Sequence, residues 1–169
     1  MIWEEDLRKG KEAERDFAAI LIRRGFVKSY DVPEWNFPDY DLRITTASGL
    51  EFTYEVKVDG IRPTSREIWI EYEKKWKPTW IAVSKADFYV YKLGNDYWCC
   101  PRGKLVRLLM ETENKRLCQW GDDGTVKLWV IPENDFYSIA SKVDEPIKNI
   151  HTNSTNMNSS IYNTAKVWV

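Results

Sequence analysis

With 169 residues, 43% of them hydrophobic and 30% charged, the chain is long enough for one domain with a buried core and too apolar to be disordered. A net charge of −1, from 25 basic and 26 acidic residues, lacks the basic excess of a dedicated nucleic-acid binder, although acids at a site and bases around it would cancel in the sum. Three cysteines without CxxC spacing argue against a disulfide framework or a zinc finger, and a single histidine, His151, argues against two-His zinc hydrolases, His-Asn-His nucleases and His-based triads.

The acidic start Trp3-Glu4-Glu5-Asp6 is not the basic opening of a secretory leader, and the longest apolar run, residues 17–22, is too short to span a bilayer. The expectation is a reducing, cytoplasmic setting with no membrane contact. Nine Trp, nine Tyr and six Phe exceed what stacking on nucleic acid would need, so many belong to the core.

In chain order, residues 4–24 place Leu7, Phe17, Ala18, Ile20 and Leu21 at helical spacing, and Gly25 stands where a helix ends. Glu14, taken alone, is one more charge on a solvated helix face. Residues 26–30 predict a short strand. Pro33 and Pro38 keep the following loop out of a helix.

Residues 37–59 predict a hairpin about the turn Thr46-Ala47-Ser48-Gly49. If the turn centres near Ser48, antiparallel partners sum to about 96, which sets Asp41 opposite Glu55. Alternation then puts Glu55 and Lys57 on one face and Tyr54, Val56 and Val58 on the other, buried face. An exposed face with a salt bridge explains this cluster poorly, because Asp41 against Glu55 is a repulsive pair. A divalent cation would resolve the conflict, since Mg²⁺ takes a few carboxylate oxygens together with water and phosphate oxygens.

Residues 67–73 alternate as a further strand that carries Glu71. Lys74, Lys75 and Lys77 surround Trp76 in a basic loop, either plain solvated charge or phosphate contacts. Residues 80–83, 87–92 and 97–100 predict apolar strands. Pro101 opens a helix over 102–113 with Leu105, Leu108 and Leu109 inward, and its Arg102 and Arg107 are surface charge or DNA contacts. A second hairpin follows over 115–120 and 126–131, then a short helix after Pro132. From residue 149 the chain is rich in Asn, Ser and Thr, so a domain over 1–148 and a polar tail over 149–169, closing on a strand at 166–169, are expected.

A helix with KGKEAERDF, then PDYDLRI, then YEVKVD, then IEYE: in this order the chain resembles the PD-(D/E)xK nuclease superfamily. Lys9-Gly10-Lys11-Glu12-Ala13-Glu14-Arg15 is similar to the first helix of archaeal Holliday-junction resolvases, where a glutamate follows a glycine by four residues, here Gly10 and Glu14. The segment IEYEKKWKPTWIAVSKADFYVYK is similar to phage-encoded nucleases of the same superfamily. The resemblance covers roughly residues 9 to 110.

It implies an α/β, restriction-endonuclease-like fold, a mixed central sheet flanked by helices with the hairpin at its centre. It implies Mg²⁺, with Mn²⁺ as a substitute, held by Asp41, Glu55 and the backbone carbonyl of Val56. Lys57 would orient the attacking water, and Glu14 would hold the cation through water or serve a second one. Glu71 is a weaker additional acid. Asp39, directly after Pro38, remains the alternative to Asp41. The expected activity is Mg²⁺-dependent hydrolysis of DNA, branched DNA included, with Lys74, Lys75, Lys77, Arg102 and Arg107 on the nucleic acid and a homodimer by analogy. The alternative is a catalytically silent nuclease-fold module that binds nucleic acid or another protein, and RNA stays open as a substrate.

Overall fold

The computed structural model describes residues 2–33, 39–59, 66–120 and 124–143. The helical spacing at the start of the chain is realised as α1, Ile2–Arg23. Gly25 ends it in the left-handed region at φ +73°, its N–H donating to the Ile22 carbonyl at 2.8 Å. Only glycine holds that conformation without strain, and a methyl group there would meet no neighbour. Gly25→Ala is therefore expected to cost about 1 kcal/mol in urea unfolding, from backbone strain alone.

Strands β1 (Val27–Asp31), β2 (Leu42–Thr46) and β3 (Glu51–Asp59) form an antiparallel meander. The pairs Leu42↔Tyr54, Arg43↔Thr53, Ile44↔Phe52 and Thr45↔Glu51 all have the register that the turn arithmetic requires, with Gly49 at φ +85°. β3 then pairs in parallel with β6 (Phe88–Leu93), β6 antiparallel with β7 (Asp96–Pro101), and β7 with β10 (Ser141–Lys142). The resulting six-stranded sheet has the order β1-β2-β3-β6-β7-β10 and is mixed. β4 (Glu67–Lys74), β5 (Lys77–Pro78), β8 (Arg116–Trp120) and β9 (Val126–Pro132) form a second, four-stranded sheet in the order β5-β4-β9-β8.

Both faces of the large sheet are covered. On one, Ala13, Phe17 and Ala18 of α1 pack on Leu42, Ile44, Tyr54, Val56 and Val90. On the other, Tyr89, Tyr91 and Leu93 meet Ile68 and Ile70 of β4, Leu105 of helix α2 (Arg102–Glu111) and Phe136 of helix α3 (Glu133–Tyr137). Neighbouring residues of β6 are thus buried on opposite sides, as an interior strand of a two-sided sheet must be. The expected α/β class, a mixed central sheet flanked by helices, is the one adopted, with β3 inside it.

Three local expectations are corrected. Residues 80–83 are not a strand: Trp80–Ala82 forms a 3₁₀ turn, with the Ala82 N–H donating to Thr79 and the Val83 N–H to Trp80. A short apolar run buries itself equally well in either form, so its pattern does not discriminate. The strand with Glu71 leaves the hairpin's sheet and belongs to the second one. α2 stops at Glu111, and Leu108 is only partly buried. The tail and the boundary at residue 148 lie outside the described residues. No helix among the described residues is long and apolar enough to cross a membrane.

Candidate active site

The site begins where β2 runs out. β2 starts at Leu42, paired with Tyr54, whereas β3 continues to Asp59 against β6 alone. One edge of β3 is therefore uncovered from Glu55 onward, and its backbone groups need other partners. Asp41, just before β2, supplies one: its Oδ2 accepts the Val56 N–H at 2.9 Å, while its own N–H donates to the Tyr54 carbonyl at 2.9 Å. The residue that the register sets opposite Glu55 closes the strand edge with its side chain.

Glu55 and Lys57 are two residues apart on β3, level with Tyr89 and Tyr91 of β6. Lys57 Nζ lies 5.7 Å from the centre of the Trp80 ring and 3.9 Å from Glu71 Oε2. Trp80 holds this place with its own backbone at φ +41°, unusual for so bulky a residue, and its ring meets those of Tyr89 and Tyr91 edge-on. Glu71, although on the other sheet, thus positions the lysine. It is not brought to the acids.

Glu14 reaches the site from α1 and is 5% exposed. Lys11, one helical turn earlier, donates to its Oε2 at 2.9 Å and to the Pro33 carbonyl at 3.1 Å. Burial raises the Glu14 carboxyl to about 7, with the Asp41 charge adding to it and Lys11 opposing. Burial also raises Asp41, against the Val56 N–H, Lys11 and Lys57. Glu55 is pushed up to about 8, first by burial and then by Asp41, with Glu14 adding, while the Ser84 hydroxyl and Lys57 pull it down. The three acids come from α1, from the residue before β2 and from β3, and Glu14 and Glu55 both feel the charge of Asp41.

Asp39 takes a different course. Its carboxylate pairs with Lys85 at 3.2 Å, and its carbonyl accepts the Lys85 N–H at 2.9 Å and the Ser84 hydroxyl at 3.2 Å. It anchors the segment that carries Ser84. Of the basic residues, Lys74, Lys75 and Lys77 are exposed about the β4–β5 turn, Arg107 pairs with Glu111 at 2.8 Å, and Arg102 opens α2 with its charge acting on Tyr89. Sequence reasoning passed over Lys11 and Ser84. The three-residue spacing from Lys11 to Glu14 on a helix was the available signal for the first; the second, 1% exposed, showed none.

Among the described residues no three or more His, Cys, Asp or Glu side chains converge as a ready cation site. Asp41 Oδ2 and Glu14 Oε2 are taken by the Val56 N–H and Lys11. The donor chemistry nonetheless fits a hard dication: only oxygens, buried at Glu14 and half-buried at Asp41 and Glu55, with no thiolate or imidazole among them. Asp41 and Glu55 would hold such an ion, joined by Glu14 once Lys11 releases it.

No known family profile matches the sequence, and no curated protein matches it. One solved structure, Hjc, a Holliday junction resolvase from the archaeal hyperthermophile Archaeoglobus fulgidus, aligns over 75% of this chain and 93% of its own, with 15% identity and a TM-score of 0.40. A likeness of that degree leaves the fold and the site to be argued from the chain's own residues.

Proposed function

We propose that the chain is a Mg²⁺-dependent DNA endonuclease, with Mn²⁺ as a substitute, that acts on branched DNA. The observation that supports it is that Glu14 and Glu55 both feel the charge of Asp41, with Lys57 acting on Asp41 and Glu55. One buried and two half-buried acids, all with raised carboxyls, destabilise a fold, and a phosphodiesterase is a function that repays the cost. A bound dication neutralises charge on the phosphate oxygens and acidifies water. The Val56 carbonyl, Asp41 and Glu55 are its proposed holders. Lys57, a partly exposed ammonium held by Glu71 and Trp80, donates hydrogen bonds to the attacking water and to a non-bridging phosphate oxygen. Glu71 keeps that ammonium aimed, so its role is positioning. A four-way junction offers two strands for scission, so two copies of the chain are proposed to act on one junction.

The test is cleavage of supercoiled plasmid and of a four-way junction with Mg²⁺. Wild type is expected to cut, and Glu55→Ala and Lys57→Ala are not; a wild type inactive on every DNA form overturns the proposal. The same assay separates the two aspartates. Asp41→Asn is expected to lose at least about 10²-fold, whereas Asp39→Asn stays within a few-fold, because the Asp39 carboxylate serves Lys85. An RNA junction in parallel decides the backbone. The second reading, a silent nuclease-fold module, draws on the two carboxylate oxygens already occupied by protein donors. Tight DNA binding with no Mg²⁺-linked cleavage would favour it.

A further inference from the structure

The tip of the β4–β5 hairpin carries a cost that packing does not explain. Lys74 pairs with Lys77, so Lys75 and Trp76 alone make the turn. Both are in the left-handed region, at φ +49° and +64°. Two-residue turns of this kind favour Asn-Gly, and a bulky side chain there is strained. Trp76 is 79% exposed, so the strain does not serve the core. Strain that persists without a packing return points to a role for the residues it displays.

The tip is also held in place. The Lys75 N–H donates to the Thr125 carbonyl at 2.9 Å. Lys127 Nζ sits 5.0 Å from the centre of the Trp76 ring and pairs with Glu73 at 2.6 Å. One row across the second sheet runs Trp120, Val126, Lys74, Lys77, which brings a second aromatic, Trp120 at 49% exposure, to the same end. Lys74, Lys75 and Lys77 flank Trp76 in the exposed turn, and Lys127 lies against its ring. A large exposed indole in a lysine-rich turn complements an unpaired nucleobase with its phosphates.

We infer that Trp76 is a stacking platform for an unpaired base of a nucleic-acid strand, with Lys74, Lys75 and Lys77 on the flanking phosphates. The inference rests on the nucleic-acid reading above and adds what that reading lacks, a preference for single-stranded or opened substrate.

The test is fluorescence anisotropy of the full chain, without divalent cation, on a labelled oligothymidylate of about 12 nucleotides, the matching oligouridylate and a duplex of equal length. Trp76→Ala is expected to weaken single-strand binding about 5- to 150-fold and leave the duplex almost unchanged, while Trp76→Phe keeps most of the affinity. Lys75→Gln is expected to lower the salt slope on the single strand by about 0.7. The two single strands show whether one sugar is preferred. An exposed turn residue leaves the melting temperature unchanged, so loss of binding is not loss of fold. Wild-type affinity in Trp76→Ala overturns the inference, as does wild type that ignores single strands. Trp76→Leu binding as well as Trp76→Phe also overturns it, since an apolar side chain without a π face would then serve equally. Cleavage scored in parallel separates the two proposals: stacking without cleavage removes the nuclease reading alone, and cleavage with unaltered Trp76→Ala binding removes this one alone.

Discussion

Glu55→Gln is expected to abolish cleavage and to make the folded chain more stable. On the proposed function, the first effect follows from removing a charge that a bound dication and the phosphate chemistry would both need, at least about 10²-fold in rate. The second follows from burial. The Glu55 carboxyl lies at about 8 in the folded chain against 4.5 for the free group, so the folded state holds the proton more tightly. Its contribution to stability is fully present below pH 4.5 and is lost as pH rises through about 8. Glu14 acts in the same sense through about 7.

Urea unfolding of wild type without divalent cation should therefore show stability falling across this window. Glu55→Gln should flatten the fall and gain about 1–3 kcal/mol at its alkaline end. Added Mg²⁺ should stabilise wild type more than Glu55→Gln, a readout independent of cleavage. A Glu55→Gln chain no more stable than wild type above pH 8 would show that the carboxylate is at ease in the fold, and the case for a cation at this site would fail.

Phe17→Ala is the second large effect, and it works at a distance from the reacting groups. Phe17 is 1% exposed and lies between Tyr54, with ring centres 5.3 Å apart, and Tyr97, at 5.6 Å. Truncation leaves a cavity under α1 and should cost about 3–5 kcal/mol, a large share of the stability of any single domain. The same helix brings Lys11 and Glu14 to the strand edge, with Glu14 one turn before Phe17. Loosened docking should therefore weaken the site as well as the fold, and Phe17→Leu should restore most of both. A loss below about 1 kcal/mol in urea unfolding would mean that α1 is seated by other contacts.

Much of this arrangement is legible in the residues because it is local. The α1 face repeats at helical period, and Gly25 marks its end. The hairpin register follows from a four-residue turn and a side-chain period of two, which leave Asp41 little choice but to face Glu55. The preference for Asp41 over Asp39 rests on that register, and the structure gives Asp39 a separate occupation with Lys85.

Other features depend on contacts far apart in the chain. β4 alternates as it would in either sheet, and only its pairing with β9, some sixty residues later, takes it away from β3. That departure turns Glu71 from an extra acid into the partner of Lys57 across two sheets. The 3₁₀ turn that slides Trp80 under Lys57 leaves no periodic trace in so short a run. The hold of Lys11 on the Pro33 carbonyl joins α1 to the chain beyond β1, a contact that no spacing encodes.

By itself, then, the sequence determined the helix, the hairpin and its register, and the place of Asp41 at the end of that register, because these depend on the backbone's own periods and on one turn. Only the tertiary structure decided how far each acid is shielded from water, that Glu14 feels the charge of Asp41, and that Lys57 meets Glu71 of the other sheet. Burial and the meeting of distant elements belong to the packed whole, and they move the carboxyls of Glu14 and Glu55 from their ordinary range to about 7 and about 8.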